Sequence, residues 1–389
     1  MKILLCFGTR PEAIKMAPLY IALCQAALQQ SQSGLSLTRT SRSEDKKNSI
    51  NVKVCVTSQH REMLGQVLDF FKIIPDYDLN VMQPNQTLNG LSAHILSKMD
   101  QVLNDSKPDL VLVHGDTTTS AMVALAAFHK GIKVGHVEAG LRTYNKQSPF
   151  PEELNRQLTG RIADFHFAPT QKAGQNLLAE GINKSNIVVT GNTVVEALYL
   201  TIEKLDKGFK NETIDNLKSN INFNKKIILV TGHRRESFGE GFENICKAIL
   251  ELAKYKEVEI VYPVHLNPNV KEIVYKMLTG VKNIHLMEPL DYPAFVWLMS
   301  KSSLIISDSG GIQEEAPSFN ISVLVTRETT ERDEGIKAGF SYLVGTDSAK
   351  IVRMANELLE SKISRVEQPN PYGDGKACEK IINFIKTHI

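Results

Sequence analysis

Short apolar, β-branched runs alternate with amphipathic stretches along this chain, and the alternation runs its course, pauses and begins again. Strands read at 2–7, 51–56, 110–113, 133–137, 166–167 and 187–189; helices read from 11 to about 28, at 61–71 and 88–103, up to 129, and at 170–179 and 194–205. Residues 206–224 are charged and weakly patterned and predict a linker. Beyond them, strands at 227–230, 259–262, 283–287, 304–306, 323–325 and 342–344 alternate with helices at 242–255, 270–278, 293–301 and 331–338. Such alternation closes best as parallel sheets covered by helices on both faces. The expected fold is α/β, with two doubly wound Rossmann-like domains and a central cleft. The first spans 1–205 and the second 206–373, with a final helix after a Pro/Gly-rich break. Pro18 should kink or restart the first helix. The Ser-rich stretch 29–49 reads as a mobile surface loop.

A length of 389 residues suits two cores. A net charge of +2 supports neither a nucleic-acid nor a membrane partner through bulk attraction, so any preference for anions must be local. The five cysteines, Cys6, Cys24, Cys55, Cys246 and Cys378, lack C-x-x-C spacing, which argues against zinc and against a disulfide framework. No apolar run reaches membrane-spanning length and the chain enters a strand at once, so a cytoplasmic location is expected.

The unusual residues collect at strand carboxyl ends, where open α/β sheets bind ligands. Gly8-Thr9-Arg10 opens a helix with Lys15 one turn in; turn amides and these cations suit phosphate, although an ordinary βα turn with a surface lysine explains them equally well. His114-Gly115-Asp116 offers an acid that could simply cap the next helix. Glu138 follows an apolar strand and is harder to explain as structure. In the stretch 149–156, Glu152 and Arg156 share a helical face, while Glu153 reads as a solvated acid at a helix start. Crowded carboxylates raise one another's pKa values and so open acid and base roles.

In the second half, His233 stands beside Arg234 and Arg235, a setting for hydrogen bonding or proton transfer. Ser309-Gly310-Gly311 opens a helix with little side chain in the way of an anion, and Glu315 one turn on could hold ribose. The plainer explanation there is Ser309 as a cap and Glu314 complementing the helix dipole. Neither H-E-x-x-H nor a His/Cys cluster at ligand spacing is present, so no metal is expected. Physical reasoning alone reaches a two-domain binder of a phosphorylated, nucleotide-linked ligand with acid/base groups in its first half.

The longer motifs say more. FGTRPEAIKMAP (7–18), QHREML (59–64), HGDT (114–117), HVEAGLRT (136–143), PFPEELNR (149–156), TGHRRE (231–236) and DSGGIQEE (308–315) resemble the non-hydrolysing UDP-N-acetylglucosamine 2-epimerases, essentially end to end. The resemblance implies a glycosyltransferase-B fold, a homodimer, and a final helix (374–389) packed back on the first domain. It also implies interconversion of UDP-N-acetylglucosamine and UDP-N-acetylmannosamine by elimination of UDP to 2-acetamidoglucal and re-addition, without nicotinamide or metal. Carried over by motif, Asp116, Glu138 and Glu152 are acid/base groups, with Asp116 and Glu138 moving the protons. His233 supports the leaving diphosphate, and Arg10, Lys15 and Arg156 hold charge around it. Ser309, Gly310 and Gly311 seat phosphate, Glu315 holds ribose, and the segment from Tyr292 to Phe295 packs near uracil.

Many members of that family bind a second substrate molecule as activator. Gln59, Glu152, Arg234 and His265 resemble that site, but Glu62 stands where many have glutamine and Asn85 where many have arginine, which should weaken activation. The stretch 29–49 is absent from most members and should only decorate the surface. The competing readings are a hydrolysing epimerase, which usually lacks the PEAIK and QHREM pattern, a glycosyltransferase of the same fold, and an inactive sugar-nucleotide sensor.

Overall fold

The structure, a computed structural model, describes residues 1–33, 50–58, 61–83, 85–360 and 368–389. Gln59 and all but the first few residues of the 29–49 stretch lie outside them. The chain divides into two compact units, Met1–Ala197 with Gly373–Ile389, and Leu198–Tyr372.

The first unit holds a parallel seven-stranded sheet: β1 (Lys2–Phe7), β2 (Asn51–Val56), β3 (Tyr77–Asp78), β4 (Leu110–His114), β5 (Lys133–Val137), β6 (Phe165–Ala168) and β7 (Ile187–Val189), in the order β3-β2-β1-β4-β5-β6-β7. Central β1 pairs Cys6 with Cys55 on one side and with Val113 on the other. Buried on both faces, strands such as β1 read as unbroken apolar runs, which is why they were legible, whereas the two-residue β3 went unread. Leu4, Val111 and Val113 form a core with Ile95, Met99 and Ala124. The helix Ala377–His388 belongs to this unit: Phe384 lies edge-on to Phe165 and Phe167, and the Cys378 N–H donates to Glu196 at 2.8 Å.

The second unit repeats the plan with β8 (Lys226–Thr231), β9 (Val258–Pro263), β10 (Ile284–Met287), β11 (Leu304–Ser307), β12 (Val323–Val325) and β13 (Ser341–Leu343), in the order β10-β9-β8-β11-β12-β13. Both sheets are doubly wound, with one reversal of strand order each: between β1 and β4, and between β8 and β11.

Several expectations need correction. Helix Arg10–Ser33 does not restart at Pro18 and extends past residue 28. The stretch read as a linker contains helix Glu212–Asn220, capped by Asn211 and anchored by buried Ile214 and Leu217. Helix Ser348–Glu360 went unread; its buried residues are Ile351 and Ala355, one turn apart.

Candidate active site

Past β1 the chain turns through Gly8 and Thr9. Their N–H groups both donate to Glu12 Oε2, at 3.0 and 2.8 Å, while the Thr117 hydroxyl donates to Glu12 Oε1 at 2.7 Å. The turn amides expected to face phosphate are therefore closed on a carboxylate of the same chain. Burial pushes the Glu12 pKa up, against the bonds from Thr117, Gly8 and Thr9 that pull it down. Glycine is obligatory at position 8, where a Cβ would come within 2.0 Å of Thr57 Oγ1. Arg10 is the first residue of the helix and half-buried. Lys15 is no surface lysine: it is 7% exposed and ion-paired with Glu138.

Glu138 sits just beyond β5 in the left-handed region, at φ 63°, a conformation that costs a non-glycine residue on the order of 1–3 kcal/mol. Besides Lys15, its Oε2 accepts from Asn192 Nδ2 at 2.7 Å and lies 3.9 Å from His114 Nε2. Its Oε1 lies beside Gly115, the neighbour of Asp116. Asp116 pairs with the buried guanidinium of Arg156. It does not cap the following helix; Thr117 does, accepting from the Ser120 N–H at 3.1 Å. Glu138 and Asp116 are each paired with a cation, Lys15 and Arg156.

Around them the imidazoles are neutral. Burial lowers His114 to about 4 and His136 to about 3, and His136 Nε2 lies 2.7 Å from the Gly115 carbonyl oxygen. Among the described residues His114 Nε2 has no hydrogen-bond partner.

Glu152 is half-buried at the start of helix Glu152–Ile162. Glu153, read as solvated, is fully buried and accepts the N–H groups of Thr143 and Tyr144 at 2.9 and 3.0 Å, pinning the preceding loop. It also lies 3.5 Å from Arg156 Nη1. Arg142, in the same motif as Glu138, makes a two-point pair with Glu180 and is structural.

In the second unit the hydroxyls of Thr231 and Ser307 meet at 2.8 Å where β8 and β11 end. Asp308, 1% exposed, accepts the His233 and Arg234 N–H groups on one oxygen, at 2.7 and 2.8 Å, and its other oxygen lies 3.4 Å from His233 Nδ1. Sequence reasoning passed over Asp308, although an aspartate ending a strand before two glycines was a signal. The His233 ring is well exposed and stacks on His265 at 5.2 Å. Burial and then the charge of His233 lower the His265 pKa. Arg234 Nε is buried without a hydrogen-bond partner among the described residues.

The paired glycines differ. A Cβ on Gly310 would come 2.4 Å from Arg332 Cζ, whereas one on Gly311 would meet only Ser309 Oγ at 3.9 Å. Ser309 does not cap helix Gly310–Glu315 with its side chain. Glu314, which the plainer alternative set against the helix dipole, is buried and accepts from Arg332 Nε at 2.9 Å. Glu315 accepts the Tyr292 hydroxyl at 3.0 Å, which joins the residue expected to hold ribose to one expected beside the base; Phe295 is half-buried in the same helix as Tyr292.

Among the described residues no group of three or more His, Cys, Asp or Glu side chains could hold a metal ion, and no helix is long and apolar enough to cross a membrane.

A family model described as UDP-N-acetylglucosamine 2-epimerase matches residues 42–386. The UDP-N-acetylglucosamine 2-epimerase of Campylobacter jejuni is 52% identical over 99% of this chain and 97% of its own length. The crystal structure of the Neisseria meningitidis UDP-GlcNAc 2-epimerase bound to UDP-GlcNAc is 48% identical, covers 100% of both chains and superposes with a TM-score of 0.89. The Methanocaldococcus jannaschii UDP-GlcNAc 2-epimerase, in complex with UDP-GlcNAc and UDP, is 32% identical over 100% of both chains, with a TM-score of 0.81. The fold is of the glycosyltransferase-B class. With its carboxylate–cation pairs in one doubly wound unit and its histidine and glycine loops in the other, this chain belongs to the UDP-N-acetylglucosamine 2-epimerase family.

Proposed function

We propose that the protein is a non-hydrolysing epimerase that interconverts UDP-N-acetylglucosamine and UDP-N-acetylmannosamine. The carrying observation is the pair of acids at neighbouring strand ends, Glu138 held by Lys15 and Asp116 held by Arg156. The hydrogen at C2 of the sugar is too weakly acidic for simple removal and return. In this mechanism one carboxylate takes that proton as the C1–O bond to the diphosphate breaks, leaving 2-acetamidoglucal and UDP. Re-addition of the diphosphate oxygen to C1, with a proton delivered to the opposite face of C2 by the other carboxylate, gives the epimer. A diphosphate approaching Lys15 and Arg156 competes with Glu138 and Asp116 for their charge.

Arg10 adds charge at the diphosphate, and Glu152 completes the acid/base set. His233 donates to the departing diphosphate, its loop fixed by Asp308. Gly311, with Ser309 and Gly310, seats phosphate; Glu315 binds ribose, with Tyr292 and Phe295 beside the base. Gln59 and Glu152 in the first unit, and Arg234 and His265 in the second, match positions that bind a second substrate in the family, and Glu62 and Asn85 weaken such activation. The working form is a cytoplasmic homodimer. The PEAIK and QHREM motifs favour epimerisation over hydrolysis.

The test is incubation with UDP-N-acetylglucosamine in heavy water, followed by NMR. UDP-N-acetylmannosamine carrying deuterium at C2 is the expected product. Free N-acetylmannosamine with matching UDP would replace this mechanism with hydrolysis.

A further inference from the structure

The start of helix Arg10–Ser33 touches both loops that carry the proton-transfer acids. Glu12 and Lys15 are three residues apart and lie on one helical face. Lys15 reaches Glu138 beyond β5, while Glu12 takes the hydroxyl of Thr117, the residue after Asp116. The other Glu12 oxygen is tied to the Gly8 and Thr9 amides, so the carboxylate is anchored to the end of β1. Thr117 also lies 2.9 Å from Ser120 Oγ, which donates to the His114 carbonyl at 2.8 Å. A chain of hydrogen bonds therefore runs from the end of β1 to the end of β4 and holds the backbone on both sides of Asp116.

We propose that Glu12 is a positioning residue for the epimerase reaction, setting through Thr117 where Asp116 stands relative to Glu138; this rests on the assignment of Asp116 and Glu138 above. Closing the turn at Gly8 and Thr9 needs only one acceptor oxygen, which a short neutral side chain supplies at many helix starts. A carboxylate buried to 3% exposure is a costlier way to do that. What it adds is the second oxygen, and that oxygen is bonded to Thr117. If Glu12 served the turn alone, breaking the Thr117 contact would lower stability without a selective effect on turnover.

The test uses the full-length chain with UDP-N-acetylglucosamine, reading kcat, KM and melting temperature. Thr117→Val keeps the branched shape and removes the hydroxyl; since displacement of a reacting group by about 1 Å costs roughly 100-fold, kcat should fall about 10- to 100-fold with KM within about threefold. Thr117→Ser restores the hydroxyl and should return kcat to within about threefold of the parent. Glu12→Gln provides a check that leaves the turn closed. Its amide oxygen can accept from Gly8 and Thr9 while its NH2 donates to Thr117 Oγ1, whose hydrogen then turns to Ser120 Oγ. It should outperform Glu12→Ala about tenfold or more in kcat.

Parental kcat in Thr117→Val overturns the proposal. So do equal losses in the valine and serine variants, or losses that follow the folded fraction alone. A parent chain that leaves UDP-N-acetylglucosamine unchanged removes the functional assignment and this inference together, whereas an active parent with an unaffected Thr117→Val removes the inference alone.

Discussion

The two units share a strand order and place opposite chemistry at the point where that order reverses. In the first, the loops after β1, β4 and β5 interlock: Glu138 with Lys15 and Asn192, Asp116 with Arg156, Glu12 with Thr117. In the second, buried Asp308 is turned on the backbone amides of His233 and Arg234, leaving the His233 ring exposed. Topology supplies the address in both and the chemistry in neither. In the proposed reaction the first unit supplies proton transfer, and the second presents donors and bare backbone to the anion.

The hardest test of that contrast is kinetic. Glu138→Gln and Asp116→Asn should each lower kcat about 1,000-fold, yet leave UDP affinity, measured by calorimetry, within a few-fold. Comparable losses of UDP affinity would erase the division of labour.

Acid should separate the units next. His114, His136 and His166 in the first unit are lowered by burial to about 4, 3 and 4 from an ordinary 6.5. As pH falls below 6.5 the unfolded chain takes up these protons before the folded one does. Stability is therefore complete above pH 6.5 and declines as pH falls toward the folded values near 4 and 3, by on the order of 3 kcal/mol for His114 alone. Hydrogen exchange followed by mass spectrometry should show first-unit amides opening over that window ahead of those from 198–372. Earlier opening of the second unit would contradict the contrast.

The smallest effect separates the two glycines. Gly310→Ala drives a methyl into the Arg332 guanidinium and should cost about 1–3 kcal/mol in a thermal melt. Gly311→Ala has room and should change stability by no more than about 1 kcal/mol, yet weaken UDP binding. Unaltered UDP affinity in Gly311→Ala would move the phosphate seat elsewhere.

How much was legible depended on how far each role reaches. Strand β1 was read at its observed bounds because a buried parallel strand is apolar at nearly every position. Helix Glu212–Asn220 hid in a charged stretch because only Ile214 and Leu217 are buried. Glu12 stands 105 residues from Thr117, and Asp308 stands 75 from the His233 amide. No local pattern reports bonds over such distances. Two short-range readings failed for a different reason: Asp116 was read as a cap and Glu153 as solvated, and distant partners, Arg156 for the one and the Thr143 and Tyr144 amides for the other, settled what they do instead.

By itself, then, the amino-acid order determined the parallel sheets, the loops that carry reactive groups and the family, because periodicity and motif spacing are properties of neighbours along the chain. Only tertiary structure decided that Lys15 belongs to Glu138, Arg156 to Asp116 and Glu12 to Thr117. A buried charge must find its counter-charge or donors in space, and which partner it meets depends on how distant strand ends are brought side by side.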